Sequence, residues 1–384
     1  MNTKKATQQQ TKQHNRDLIL RTIFAHDSIS RAEVARVTHL TRTTVSDTVS
    51  GLLSEGLVEE VGRGESIGGK SPILLSIVAN SRYLIGLNLA QNKFVGAIVN
   101  LRGEIKTLIE EPVHDDDGEV ALQLVFKILD QLTQNNLTPI VGIGVGTPGL
   151  VNTREGVVIT AVNLQWQNLP LSKLLEEKYH LPVLLMNDSQ AAAIGEYVYG
   201  GGHEPDDNMV VVNVIHGIGA GILVNGRLFQ GDGGGAGEIG HVVVQENGEL
   251  CRCGKLGCLE TVASVRAVLK QLEMDSFSQV IRSYHEGDHR TVTVIEKAGR
   301  YLGMSLANLI ATLNIEKIVL TGEMTRLGES WLTAVKGSMQ TGALTRITEG
   351  TKLEIGKLEN RACVLGASAF LLLDDYSLLF SEEN

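Results

Sequence analysis

Gly237-Glu238-Ile-Gly-His241, followed after nine residues by Cys251-Arg-Cys253-Gly-Lys-Leu-Gly-Cys258-Leu-Glu260, is the most chemically specific stretch of the 384-residue chain. One histidine and three cysteines make a Cys3His set, the ligand set of a closed structural zinc site. The Cys-x-Cys-x4-Cys spacing with interleaved glycines reads as a knuckle, because glycine lets backbone turn tightly around a metal. His241, Cys251, Cys253 and Cys258 would fill a tetrahedron and leave zinc no open position for hydrolytic chemistry. The competing reading is three buried free thiols beside an unrelated histidine. A Cys251–Cys253 disulfide is disfavoured because the intervening loop is so short. The chain has only 4 cysteines, too few for a disulfide scaffold, so a thiol cluster implies a reducing, cytoplasmic compartment.

Outward from this stretch, glycine is dense: residues 195–257 hold 17 of the 42 glycines. They have no Gly-x-y period, so a collagen-like chain is excluded. The net charge is -10, unevenly spread: residues 1–75 carry 10 Lys+Arg and 8 Asp+Glu, the rest 24 and 36. Only the head is suited to meet a polyanion. No run of 18 apolar residues exists, and the N-terminal lysines are not followed by an apolar core, so neither a membrane span nor a signal peptide is expected.

The head, residues 1–78 with its wing and linker, starts with a polar segment over 1–14 that reads as disordered. Helical periodicity begins at Asn15. Ser30-Arg-Ala-Glu33 reads as a capping box. Thr41 can cap a third helix, where Val45, Val49, Leu52 and Leu53 form an apolar stripe, and Gly56 ends it. A strand, a Gly-rich stretch and a return strand from Leu74 complete a winged helix-turn-helix. Such a third helix enters the major groove. Arg42, Thr43, Thr44 and Ser46 are its candidate base-facing residues, and Arg63 and Lys70 in the wing can reach phosphates or the minor groove. The competing reading is a three-helix module that binds another protein. One weakly basic head binds DNA weakly, so a homodimer or dimer of dimers presenting several heads is expected on operator DNA.

The body alternates strand-rich and helical runs from Tyr83 onward, and the order restarts near Met209. That pattern gives an α/β class with two mixed lobes and a cleft between them. The first lobe covers 79–200, joined by a C-terminal helix over 362–376; the second covers 201–384 and carries the knuckle.

The run Gly237–Glu260 resembles the signature of the ROK family of bacterial sugar kinases and sugar-responsive repressors, and the resemblance extends over nearly the whole chain. It implies a two-lobed actin-like, ribonuclease H-like ATPase-type fold, structural zinc, and a monosaccharide in the interlobe cleft. A winged-helix head on such a body is similar to the xylose, N-acetylglucosamine and glucose-type repressors. Residue by residue, the implied sugar contacts are Asn163, Asn187, Asp188, Glu238, His241 and Glu260. Their chemistry suits a sugar, whose hydroxyls need convergent donors and acceptors. His241 could face zinc with one ring nitrogen and a hydroxyl with the other. Alternatively, Asn187-Asp188 could cap the following helix and Glu260 could charge a helix N-terminus. Trp166 of the Asn163-Leu-Gln-Trp166 stretch reads as a core anchor more than as a sugar-stacking face. That stretch resembles the xylose repressors and favours xylose over glucose or N-acetylglucosamine.

Where family kinases cradle phosphate with Asp-x-Gly-x-Thr, this chain has Asn88-Leu-Ala90-Gln-Asn92. An Ala methyl obstructs backbone approach, and Asn lacks the charge to orient Mg2+. His216 opens the second glycine loop in place of threonine, and Glu323 replaces glycine in the third. Phosphoryl transfer rests on phosphate positioning and electrostatics, so the expectation is a non-enzyme, with a sugar kinase bearing a fused head as the alternative. In the wing, Gly68-Gly-Lys70-Ser71-Pro72 departs from the Gly-Gly-Arg-Arg-Pro of many family repressors. Lys4, Lys5 and Lys12 could supply phosphate contacts instead.

Overall fold

In the computed structural model, which describes residues 7–65, 71–90, 92–113, 118–201 and 207–373, the chain opens with helix α1 (Gln8–Phe24). Its start corrects the expectation of a disordered segment to residue 14. The Thr7 hydroxyl accepts from Gln10 N, and the Gln10 side chain accepts from Thr7 N at 2.8 Å, so a capping box launches the helix through a polar stretch. Then come β1 (Ile29–Ser30), α2 (Arg31–Thr38), α3 (Arg42–Ser54), β2 (Val58–Arg63) and β3 (Ile73–Ile77). The Ser30 hydroxyl accepts from Glu33 N, while the Glu33 carboxylate pairs with Arg36. Thr41 caps α3 by accepting from Thr44 N, and Gly56 leaves the helix at φ +67°. The strands form a wing sheet in the order β1-β3-β2. The head core of Ile19, Leu20, Ile23, Val34, Val45, Val49 and Leu52 continues without a break into Leu84, Leu101, Leu371 and Leu372 of the body.

The first lobe contains β4 (Tyr83–Leu89), β5 (Lys93–Asn100), β6 (Ile105–Pro112), α4 (Gly118–Thr133), β7 (Ile140–Thr147), β8 (Leu150–Asn152), β9 (Val157–Ala161), β10 (Trp166–Leu169), α5 (Leu171–Tyr179), β11 (Val183–Asn187) and α6 (Asp188–Tyr199). Its main sheet has the order β11-β7-β4-β5-β6, with β4, β5 and β6 antiparallel and β7 and β11 parallel to β4. The second lobe contains β12 (Met209–Val214), β13 (Ile218–Val224), β14 (Arg227–Phe229), α7 (Glu260–Ala263), α8 (Val265–Leu272), α9 (Phe277–His285), α10 (His289–Leu313), β15 (Lys317–Thr321), α11 (Glu329–Gly342), α12 (Thr345–Gly350) and β16 (Lys352–Ile355). Its sheet has the order β14-β13-β12-β15-β16, with the same mixture of directions. Each lobe thus wires its strands third-second-first-fourth-fifth. The body is a structural duplication of the actin-like, ribonuclease H-like plan. The small sheet β10-β9-β8 escaped the sequence reading because its strands are only 3–5 residues long.

The last helix, α13 (Ala362–Leu373), returns to the first lobe and lies on its sheet; residues 374–376 of the expected helix fall outside the described residues. Two glycines permit this contact. A Cβ on Gly86 or Gly144 would sit 2.0 Å from Val364 O or 1.7 Å from Ala367 O. α13 also packs tightly on α6, whose buried Glu196 accepts from Lys357 N at 3.0 Å, Leu358 N at 3.1 Å and the Thr321 hydroxyl at 3.2 Å. That carboxylate pins the end of β15 and the segment returning from the second lobe to the first. Among the described residues, no helix is long and apolar enough to cross a membrane.

Candidate functional site

A cavity of about 960 Å³ opens between the lobes, and Asn163, Asn187, Asp188, Glu238, His241 and Glu260 all line it. Parallel pairing of β11 with β7 carries Asn187 and Asp188 to the strand end that faces the cleft. Asn187 is the N-cap of α6: its Oδ1 accepts from Ser189 N at 2.9 Å and Gln190 N at 3.3 Å, and its Nδ2 donates to Gly149 O at 3.0 Å. The capping reading therefore describes this residue well, and the second N–H of its Nδ2 is what its amide still offers the cavity it lines. Asp188 is different. Its buried carboxyl receives one side-chain hydrogen bond, from Ser189 Oγ at 3.2 Å, and desolvation pushes its pKa up to about 6. Glu238 stands across the cleft. Desolvation, and then the charges of Asp188 and Glu260, push it up to about 7.

His241 lies at the end of a 3-10 turn (Ile239–His241) and faces both ways. Its Nδ1 is 3.5 Å from Cys251 Sγ and its Nε2 is 3.7 Å from Glu238 Oε2. The ligand atoms of His241, Cys251, Cys253 and Cys258 all lie within 4.8 Å of one another, with Cys253 and Cys258 sulfurs 3.6 Å apart. A tetrahedral ion with bonds of about 2.3 Å places sulfurs roughly 3.8 Å apart, so this set fits a closed metal centre. The knuckle is folded by bridges between Val243 and Cys258 and between Leu250 and Leu256. Gly257 is required there: its φ is +72°, and a Cβ would meet Gln245 O at 1.8 Å. Without a cation, burial pushes the Cys251 and Cys258 thiols up. Glu260, buried at the start of α7, accepts from Cys251 Sγ at 3.2 Å and lies 3.6 Å from Arg266. It touches the Cys3His cluster and the cleft at once.

Two arginines were missed in the sequence reading. Arg252, between the first two cysteines, donates to Asn163 Oδ1 and so ties the first lobe to the knuckle. Arg266 lines the same cavity. Arg252 was visible inside Cys-x-Cys, but its partner is 89 residues away. Trp166 is a core anchor, 6% exposed, with its indole N–H donating to Gly118 O at 2.8 Å. Asn88, Ala90, Asn92, His216 and Glu323 line the same cavity. Burial lowers the pKa of His216, and Glu323 pairs with Arg326 at 3.6 Å.

On the head, Arg42, Thr43 and Ser46 are exposed on α3, together with Asp47 and Ser50, while Thr44 is half-buried and bonds the Thr41 hydroxyl at 2.9 Å. Arg63 ends β2 in an exposed position. Lys70, Lys4 and Lys5 lie outside the described residues. Lys12 is exposed on α1.

A winged helix-turn-helix on a duplicated ribonuclease H-like body, with a carboxylate-lined cleft beside a Cys3His cluster, defines a class that joins a nucleic-acid-binding type of head to a sugar-kinase type of shell. The chain belongs to the ROK family, which matches residues 84–373. It is 32% identical over 387 residues to the xylose repressor of Caldicellulosiruptor bescii, covering 94% of this chain and 96% of that protein. It is 33% identical over 313 residues to a glucokinase of Halalkalibacterium halodurans, covering 75% of this chain and 94% of that enzyme. Among solved structures, a ROK family transcriptional regulator homologous to the E. coli MLC protein matches with a TM-score of 0.80 and 28% identity, covering 96% of this chain and 98% of its own.

Proposed function

We propose that the protein is a sugar-responsive transcriptional repressor: it binds operator DNA through the winged head and releases it when a monosaccharide occupies the interlobe cleft. The observation that carries this reading is the extent of likeness. The repressor and the regulator match 94% and 96% of the chain, too much to leave out the head, whereas the glucokinase leaves a quarter of the chain uncovered. In the proposed site, Asp188, Glu238 and Glu260 accept from sugar hydroxyls and His241 Nε2 offers a further polar contact. Arg252 and Asn163 hold the lobes at the working distance. Asn187 acts through the cap that orients Asp188. Xylose is the effector favoured by the C. bescii relative.

We assign zinc to His241, Cys251, Cys253 and Cys258. When bound it supplies a rigid structural brace and no reaction step, because protein ligands fill its coordination sphere. Phosphoryl transfer is assigned no role: Asn88, Ala90, Asn92, His216 and Glu323 stand where nucleotide phosphates and Mg2+ would need glycines, hydroxyls and an aspartate. Arg42, Thr43, Ser46 and Arg63 would meet DNA, with Thr44 shaping the start of α3. Two heads in a homodimer would match an operator with two half-sites, so a small change in their relative orientation abolishes simultaneous binding.

The test uses a duplex recovered by the protein from a random pool. Its binding should weaken on addition of D-xylose, D-glucose or N-acetylglucosamine, and Asp188→Asn should bind the duplex while ignoring the sugar. In parallel, ATP-dependent phosphorylation of the same sugars is measured. The glucokinase match favours the second reading, a kinase with a fused head. Turnover above about 1 per second, within the usual kinase range, would establish it and sink ours.

A further inference from the structure

Arg102 occupies the turn between β5 and β6 of the first lobe, yet its guanidinium is spent on the head. Nη1 donates to Phe24 O at 2.8 Å, and Nη2 donates to His26 O at 2.9 Å and to Ser76 Oγ at 3.1 Å. The guanidinium carbon is also 5.7 Å from the centre of the Phe24 ring. Phe24 ends α1, so this cation meets the last carbonyl of the helix, at the negative end of its dipole, and the His26 carbonyl just beyond it. Ser76 belongs to β3 of the wing. One planar fork therefore holds a head helix and the wing sheet in one fixed relation, which a lysine point charge cannot do.

The turn itself is preset. Asn100, fully buried, accepts on Oδ1 from Arg102 N at 3.1 Å and Glu104 N at 2.9 Å, and donates from Nδ2 to Asn80 Oδ1 at 2.8 Å. Next to Arg102, Gly103 (φ +78°) lies against the Tyr199 ring so closely that a Cβ would be 2.6 Å from it. Tyr199 is the last residue of α6, and Asp188 in the cleft is the first. Twelve helical residues span about 18 Å as a stiff rod. α13 runs against it: Cys363 lines the cleft at one end, a Cβ on Gly366 would meet Ala191 O at 1.7 Å in the middle, and Leu371 and Leu372 enter the head core at the other.

We propose that α6 and α13 form a strut from the cleft to the head, and that Arg102 is the positioning residue through which cleft occupancy sets the orientation of α1 and the wing. Displacement of Asp188 by a ligand moves Tyr199 at the far end of a rigid helix. Tyr199 bears on Gly103, and the neighbouring arginine carries the shift to Phe24, His26 and Ser76. The inference rests on the repressor reading.

The experiment measures the selected duplex's Kd with and without D-xylose, D-glucose and N-acetylglucosamine in full-length parent, Arg102→Ala and Arg102→Lys. In the parent the effective sugar should weaken duplex binding by about 5–150-fold, the usual span of allosteric coupling. In Arg102→Ala that ratio should fall below about twofold, while the Kd for the sugar alone stays near the parent's. Because linkage is reciprocal, the duplex should also stop weakening sugar binding. Arg102→Lys, unable to fork, should be intermediate. A parent-like ratio in Arg102→Ala and Arg102→Lys overturns the inference and leaves the repressor reading standing. Joint loss of sugar and duplex binding with a lowered Tm in both variants marks Arg102 as merely structural and also overturns it. A parent indifferent to all three sugars overturns the repressor reading and this inference with it.

Discussion

Asp188 concentrates the chemistry of the cleft in one side chain. It is buried at the start of α6, faces Glu238 and Glu260 across the cavity, and has the Cys363 thiol behind it. Its pKa of about 6 lies above the ordinary 3.8, so the folded protein holds that proton more tightly than the unfolded chain does. The stability contributed by protonated Asp188 is therefore complete below about pH 4 and is lost as pH rises through about 6. Asp188→Asn, permanently neutral, should escape that loss. Relative to the parent, it should gain up to about 3 kcal/mol between pH 4 and pH 7, the equivalent of about two pKa units. Urea titrations at both pH values give the comparison, and a pH-independent difference between the two proteins would show that the carboxylate is not held protonated by burial. At this scale the sequence was informative about residue types: each expected sugar contact does line the cleft. It could not apportion roles, and Asn187 shows why. The same Asn-Asp pair suits a cap or a ligand, and only the positions of Ser189 N, Gln190 N and Gly149 O decide that the amide is a cap.

At the scale of elements, the packing of α6 on α13 depends on an absent side chain. A Cβ on Gly366 would be 1.7 Å from Ala191 O and 2.5 Å from Gly195 N, both of them backbone atoms in a helix that has no freedom to yield. Gly366→Ala should separate the two helices and destabilise the protein by about 1–3 kcal/mol or more. Gly51→Ala in α3, where nothing lies within 4 Å of the new methyl, should instead stabilise by about 0.5–1 kcal/mol from helix propensity. Denaturant midpoints of the two variants, which should move in opposite directions, check the pair. Helix ends were legible where the signal is local: the Thr41 hydroxyl caps the start of α3, and Gly56, at φ +67°, lets the chain leave its end. The start of α1 was not, because a run of glutamines has no apolar period and its signal is the single Thr7–Gln10 exchange. The β8–β10 sheet was missed for a related reason: its strands of 3–5 residues are too short for periodicity to separate them from a loop.

For the molecule as a whole, the Cys3His cluster ties the ligand cleft to the integrity of the second lobe, because His241 and Glu260 belong to both. Cys253 is the exposed member of the set, so Cys253→Ser perturbs the centre with least damage to the core. Its zinc content should fall below one per chain and its sugar affinity should drop, since a loosened knuckle no longer fixes His241 or the Arg252–Asn163 tie. Binding to the selected duplex should persist, because the head core does not involve the knuckle. Metal analysis, sugar titration and duplex binding on one preparation check this; sugar affinity equal to the parent's with zinc absent would sever the proposed link.

What could be read from the chain alone was local: apolar periods, caps, glycine turns and the one-histidine, three-cysteine set of the knuckle, because each is a pattern over a few residues with a recognisable spacing. The α/β class and the family resemblance followed from those. The duplicated strand order, the tie from Arg252 to Asn163, the pin at Glu196 and the clasp of Arg102 on the head are different in kind. Each joins residues dozens of positions apart, and propensity carries no information about such distances. They exist because two sheets, two crossing helices and a docked head had to bury their apolar faces together, and that packing brought the polar groups within hydrogen-bond reach.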